Sequence, residues 1–63
     1  MKSYMVEEMA GDTPVSHYTV IADTPWQAAT VGTKKEVQGR RDEAQWVRVT
    51  EESNRAVYKY AFK

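Results

Sequence analysis

The segment of residues 18–29 reads YTVIADTPWQAA and contains the clearest local signals of secondary structure in the chain. Its first four residues are aromatic or β-branched, which favours a β-strand. Thr24 then offers a side-chain oxygen to the free backbone N–H groups of a helix, and Gln27, three residues later, completes the spacing of a capping box. Pro25 fits the first helical position, where an N–H is not needed. The stretch therefore predicts a strand that leads directly into a capped helix.

The helical pattern continues towards the C terminus and predicts a helix over residues 25–38. Gly39 follows the last helical turn, and we expect it to be the C-terminal cap. Asp23 lies beside the positive end of the helix dipole, and Lys34 and Lys35 lie towards its negative end. The charges at both ends therefore favour this helix.

One face of the predicted helix carries unusually small residues. Ala28, Ala29 and Gly32 form a stripe, although glycine inside a helix costs roughly 1 kcal/mol relative to alanine. Close packing is the usual compensation, so we expect this stripe to lie against a sheet. The larger apolar residues would cover the edges of the stripe: Trp26, Val31 and Val37.

Four segments with strand-like patterns surround the helix, over residues 3–9, 15–22, 44–50 and 56–62. The last two alternate apolar and polar residues with a period of two. The order ββαββ predicts a two-layer α+β fold, with a four-stranded, mostly antiparallel sheet and one helix on one face. If the second and third strands are neighbours, they are parallel and joined by a right-handed crossover. The alternative order places the first and fourth strands at the centre.

Length and composition limit the class of protein. The 63 residues predict a single small domain over 1–63, and nine Lys and Arg balance nine Asp and Glu. The chain contains no cysteine, which excludes disulfides, thiolate metal sites and cysteine nucleophiles and favours the cytoplasm. The first eight residues turn acidic after two apolar residues, so we expect no signal peptide. No apolar run is long enough for a membrane span, and we expect no membrane partner.

Catalysis is not expected. A chain of this size has little core to give up for an active-site cavity. His17 is the only histidine and lies in a predicted strand, without a predicted carboxylate beside it. Asp42 and Glu43 do not have the spacing of a calcium loop, and the three glycines form no phosphate-binding loop. We therefore predict a protein that is not an enzyme, with no catalytic residue, metal or cofactor.

A two-layer fold leaves one face of the sheet without a helix. Alternation along the strands assigns Tyr58, Tyr60 and Phe62 to the helix side, together with the valines of the third strand and Tyr18, Val20 and Ala22 of the second. The open face then carries a mixture of aromatic, basic and apolar residues: Trp46, Arg48, Lys59, His17, Thr19 and Ile21. A slip of one residue in register would reverse this assignment.

Three interpretations of the open face remain. It is a solvated sheet, a protein interface or a surface for single-stranded nucleic acid. Because Trp and Arg are enriched at interface hot spots, and because the core is small, the leading hypothesis is a protein-interaction module. We expect it to associate with itself as a homodimer, or with another protein. The candidate partner-binding residues are Trp46, Arg48, Lys59 and Ile21.

The alternative hypothesis is a weak nucleic-acid-binding domain. Aromatic residues on an open sheet can stack on bases, and a basic group over residues 34–41 can contact phosphates. Its candidate residues are Lys34, Lys35, Arg40 and Arg41. The zero net charge of the chain argues against this alternative, because non-specific binding to nucleic acid depends on positive charge.

Overall fold

The computed structural model describes residues 1–63 and contains one α-helix and five β-strands. The elements, in chain order, are β1 (Lys2–Ala10), β2 (Thr13–Ala22), α1 (Pro25–Thr33), β3 (Val37–Gly39), β4 (Gln45–Glu51) and β5 (Val57–Phe62). The predicted α+β class, with one helix and an antiparallel sheet, is confirmed. The single helix falls short of the length and apolar character needed to cross a bilayer.

The sheet differs from the prediction in strand number and order. It has five strands in the order β2-β1-β4-β5-β3, and each neighbouring pair is antiparallel. The expected hairpins β1–β2 and β4–β5 both form, but they join through β1 and β4. Neither sequence-based order is therefore correct, and no parallel crossover is needed. The chain instead passes through α1 from one edge strand, β2, to the other edge strand, β3.

The helix is shorter than predicted, because it ends at Thr33 and not at residue 38. Lys34 is the C-terminal cap, with φ of 60°, and its backbone N–H donates to the carbonyl of Thr30 at 2.8 Å. Gly39 is not a cap but lies in β3. The residues after the helix extend because Val37 is almost fully buried and pairs with Phe62 of β5.

The start of the helix follows the sequence pattern closely. The backbone N–H of Gln27 donates to Thr24 Oγ1 at 3.1 Å, and Pro25 occupies the first turn. The Gln27 side chain reaches back to the backbone N–H of Asp23, at 2.9 Å. The N–H that Gln27 binds therefore belongs to the residue before the N-cap, and not to Thr24 as in a standard capping box. The bond still satisfies a backbone donor at the helix start.

The core lies between α1 and one face of the sheet. Its buried residues come from all the elements: Tyr4, Val6, Val20, Ala22, Ala28, Ala29, Val37, Val47, Val49 and Tyr60. Tyr58 and Phe62 pack against the cluster, so the side of the sheet expected to face the helix does so. A Cβ atom on Gly32 would lie 3.1 Å from Val6 and 3.2 Å from Val20. Glycine therefore lets the helix approach the sheet closely, as the small-residue stripe predicted.

Candidate interaction surface

The strand register brings the predicted open-face residues together. Arg48 lies directly between Glu7 of β1 and Lys59 of β5, while Glu7 also pairs with His17 of β2. Because directly paired residues share a face, these side chains lie on the side of the sheet away from α1. Trp46, Thr19 and Ile21 occupy the same face by alternation along their strands.

Trp46 is on this face but is not an exposed anchor. Its side chain is 5% exposed, because the guanidinium of Arg40 covers the ring at 4.2 Å from its centroid. The indole Nε1–H donates to the carbonyl of Gly11 at 2.7 Å. Lys59 Nζ approaches the same ring at 5.8 Å. Trp46 is therefore packed against its own chain on the open face. Arg40 would have to move before a partner could reach the ring.

Arg48 is also occupied within the chain. Its Nε and Nη2 atoms donate to the two carboxylate oxygens of Glu7, at 2.9 and 3.0 Å. These hydrogen bonds lower the pKa of the Glu7 carboxyl and raise the pKa of the Arg48 guanidinium. Sequence reasoning missed Glu7, since its pairing with Arg48 depends on the unexpected contact between β1 and β4. The hydrogen bonds of the Arg48 guanidinium are therefore made within the sheet and not with a partner.

Lys59 and Ile21, the remaining candidate residues, lie apart on this face. Lys59 is exposed on β5 and pairs directly with Arg48, a like-charged neighbour. Ile21 is 59% exposed near the end of β2. The four candidates therefore share a face without forming one exposed patch.

The basic residues of the 34–41 segment also lie apart from one another. Lys35 lies over the ring of Phe62, on the helix side, at 5.0 Å from the centroid. Arg40 lies over Trp46 on the open face, and Lys34 forms the helix cap. Arg41 is exposed in the following loop, where its backbone N–H donates to Glu43 Oε1 at 2.8 Å. Backbone N–H groups, that of Arg41 foremost, lower the pKa of this carboxyl.

The outer edge of β2 is the longest part of the sheet without a neighbouring strand. The Ser3 carbonyl accepts the N–H of Glu52, so the odd-numbered residues of regular β1 direct their backbone groups towards β4. Even-numbered β1 residues therefore bond the even-numbered residues of β2. It follows that His17, Thr19 and Ile21 direct their N–H and C=O groups outwards, and no protein group bonds them.

The side chains along β2 do not protect this edge. Residues 13–22 contain no Asp, Glu, Lys or Arg. Natural sheets usually block an exposed edge with charged residues, proline, bulges or a very short strand. The only such features here are Pro14 and a bulge opposite Glu8 and Met9, both near the start of the strand. The segment Ser16–Ala22 pairs regularly with β1 and remains open on its other side.

The opposite edge of the sheet is well protected. β3 is only three residues long. Lys34 and Lys35 precede it, and Arg40 and Arg41 follow it. A short strand between basic residues is a poor template for another strand. The two edges of this sheet therefore differ sharply in their capacity to pair.

Apolar side chains border the β2 edge on both faces. Ile21 is 59% exposed, and Met5 of the adjacent strand is 37% exposed on the same open face. Tyr18 is 38% exposed on the helix side, and its hydroxyl donates to Glu8 at 2.7 Å. That hydrogen bond raises the pKa of the tyrosine hydroxyl. A strand added to β2 would bury part of this surface.

The cavities of the molecule are shallow surface clefts. The cleft beyond the end of α1 has a volume of about 470 Å³ and includes Met9, Val15, Lys35 and Phe62 in its lining. A second cleft of about 470 Å³ lies above Trp46, with Asp12, Arg40 and Lys59 at its rim. No three His, Cys, Asp or Glu side chains are grouped so that they could hold a metal ion.

Compared with protein-family models, curated proteins and solved structures, the chain matches none of them. The fold is a five-stranded antiparallel sheet with one helix on one face.

Proposed function

We propose that the protein is a non-enzymatic interaction module that associates with a second copy of itself through the outer edge of β2. The observation that carries this proposal is the contrast between the two sheet edges. One edge offers seven regularly paired residues, Ser16–Ala22, without a charged side chain. The other is a three-residue strand between pairs of basic residues. Only the β2 edge is suited to strand addition.

A second copy suits this edge because the edge is neutral. Strand addition satisfies the outward N–H and C=O groups whatever the partner's sequence. A charged edge would be repelled by the same edge of a second copy, because like charges would lie opposite each other. The β2 edge has no Asp, Glu, Lys or Arg, so this repulsion does not arise. Because a chain of this length has little core of its own, pairing also buries apolar surface that folding alone leaves exposed. Since the chain lacks cysteine, we expect this association in a reducing compartment such as the cytoplasm.

The substitution Thr19→Lys tests the edge directly. Thr19 is exposed at the middle of the regular segment, so lysine can be accommodated in the monomer. Edge lysines oppose strand addition, and we expect the dimer Kd, measured by analytical ultracentrifugation, to rise at least about ten-fold.

Val57→Lys is the matched control, because Val57 is exposed on the open face but lies on β5, which β1 and β4 separate from β2. We expect its dimer Kd to remain near that of the unsubstituted protein. Equal weakening by both substitutions would assign association to the open face and contradict the edge proposal. Circular dichroism of each variant would establish that the fold is retained.

A second candidate function, binding of single-stranded nucleic acid, is favoured by one observation. Arg40 and Lys59 both lie over the Trp46 ring, and neither forms an ion pair with a carboxylate. Against it, Lys35 is on the opposite side of the sheet. Titration with oligothymidine at two salt concentrations tests this function, since phosphate contacts predict an affinity that falls steeply with salt. Lys59→Gln should weaken such binding more than Lys35→Gln.

A further inference from the structure

The β2 edge also defines how two copies would meet, an inference that rests on the proposed self-association. The regular part of the edge is bounded by the bulge on one side and by the end of the strand on the other. It covers Ser16–Ala22, and its middle residue is Thr19. Pro14, beyond the bulge, has no N–H to contribute. Two antiparallel copies of this segment overlap fully only when Thr19 of each lies opposite Thr19 of the other.

We propose that the protein forms a two-fold symmetric dimer in which β2 pairs with β2 across Thr19, which produces a continuous ten-stranded antiparallel sheet. The two-fold axis is perpendicular to the sheet, so both helices lie on the same side. Like symmetric dimers in general, this one uses the same surface of each copy.

The direction of the backbone groups is compatible with this register. The hydrogen bonds between β1 and β4 place the N–H and C=O groups of His17, Thr19 and Ile21 on the outer side of β2. Across the axis, Thr19 faces Thr19, and His17 of one copy faces Ile21 of the other. Each of these is a hydrogen-bonded pair of an antiparallel ladder, in which two residues exchange two bonds. All the outward groups of the three residues would thereby be satisfied.

The side chains are also compatible with this register. On the open face, the exposed Ile21 packs beside His17 of the second copy, and the two threonines face each other. On the helix side, Tyr18 lies opposite Val20 of the second copy in a close, non-hydrogen-bonded pair. Pairs of an aromatic with a β-branched residue, and pairs of threonines, are favourable across antiparallel strands. No charged residue is placed opposite another charged residue within Ser16–Ala22.

The absence of natural cysteines allows a direct test by single-cysteine cross-linking. In the proposed register, only residue 19 lies opposite itself, with Cα atoms about 5.5 Å apart, within the range that a disulfide spans. Residues 17 and 21 lie more than about 13 Å from their own counterparts, because four residues of extended strand separate them. Thr19→Cys, His17→Cys, Ile21→Cys and Val57→Cys would each be treated with glutathione disulfide, which oxidises the two thiols and is itself reduced to glutathione, and examined on non-reducing gels.

We expect Thr19→Cys to form covalent dimers at least about ten-fold faster than the other three variants, since its thiols are held within bonding distance. A mixture of His17→Cys and Ile21→Cys should cross-link efficiently, although each variant alone does not. Faster cross-linking at another position, while the unsubstituted protein is dimeric, would overturn the Thr19 register but not self-association. A monomeric unsubstituted protein would overturn both proposals.

Discussion

The Glu7–Arg48 pair makes stability depend on pH through the Glu7 carboxylate. The Glu7 side chain is 13% exposed, and Arg48 lowers its pKa through two hydrogen bonds. The stabilisation is therefore present above the unfolded pKa of about 4.3 and is lost as pH falls through the lower pKa of the folded state. The pair joins the two hairpins at the centre of the sheet.

Glu7→Gln should reduce stability at pH 7 by about 1–2 kcal/mol, because it replaces a charged acceptor of a partly buried guanidinium. Thermal unfolding of both proteins between pH 2 and pH 7 measures the effect. We expect the difference in Tm to shrink towards low pH, where Glu7 itself becomes neutral. Glu36→Gln, an exposed carboxylate without an ion pair, is the control. A difference of constant size across this range would contradict the assigned role of the carboxylate.

The roles of single residues could be predicted from the sequence only where they depend on local spacing. Thr24 caps the helix as expected, and Gln27 bonds the N–H of Asp23, one residue before the expected one; both partners lie within four residues. Trp46 was expected to be exposed, yet Arg40 and Gly11 cover it from distant parts of the chain. Alternation gives the face on which a side chain lies, but it does not show which neighbour packs over that side chain.

Because α1 lies close to the sheet, we expect larger side chains to lower stability on the side of the helix that faces the sheet, and not on its exposed side. Gly32 faces Val6 and Val20, with room for little beyond a hydrogen atom. Leucine there would have to displace both valines, and overpacking of this kind costs about 1–3 kcal/mol. We therefore expect Gly32→Leu to lower the midpoint of urea unfolding.

Val31→Leu provides the comparison, because Val31 belongs to the same helix and is 54% exposed. Leucine has the higher helix propensity, so stability should stay equal or rise slightly. Unfolding in urea then compares leucine on the side of α1 that faces the sheet with leucine on its exposed side. A neutral result for Gly32→Leu would mean that the helix packs through another face.

The end of α1 shows why local sequence patterns do not reveal β3. Lys34 adopts a left-handed conformation without being a glycine, so the usual signal for a helix end is absent. Residues 34–38 could continue a helical pattern, while the burial of Val37 in the sheet depends on β5, more than twenty residues later. Tertiary packing therefore decided this segment, and local propensity did not.

The whole fold was predictable in class but not in strand order. Local patterns identify two hairpins and a helix, and these form. Joining the hairpins through β1 and β4 depends on contacts such as that between Glu7 and Arg48, which no local pattern specifies. Because β1 and β4 are neighbours, β2 lies at the edge of the sheet. Its outer backbone groups, in a segment without Asp, Glu, Lys or Arg, are therefore exposed for pairing with another strand. The candidate site thus became visible only with the strand order.

The native mass of the protein in solution shows whether the chain self-associates, as pairing through β2 requires. Light scattering across a range of protein concentrations should show a mass that rises from 7.2 kDa towards twice that value. Because backbone bonds and apolar contacts hold the pair, the midpoint should change little with salt. A mass that stays at 7.2 kDa at every concentration up to about 1 mM, where only very weak association would escape detection, would contradict the account.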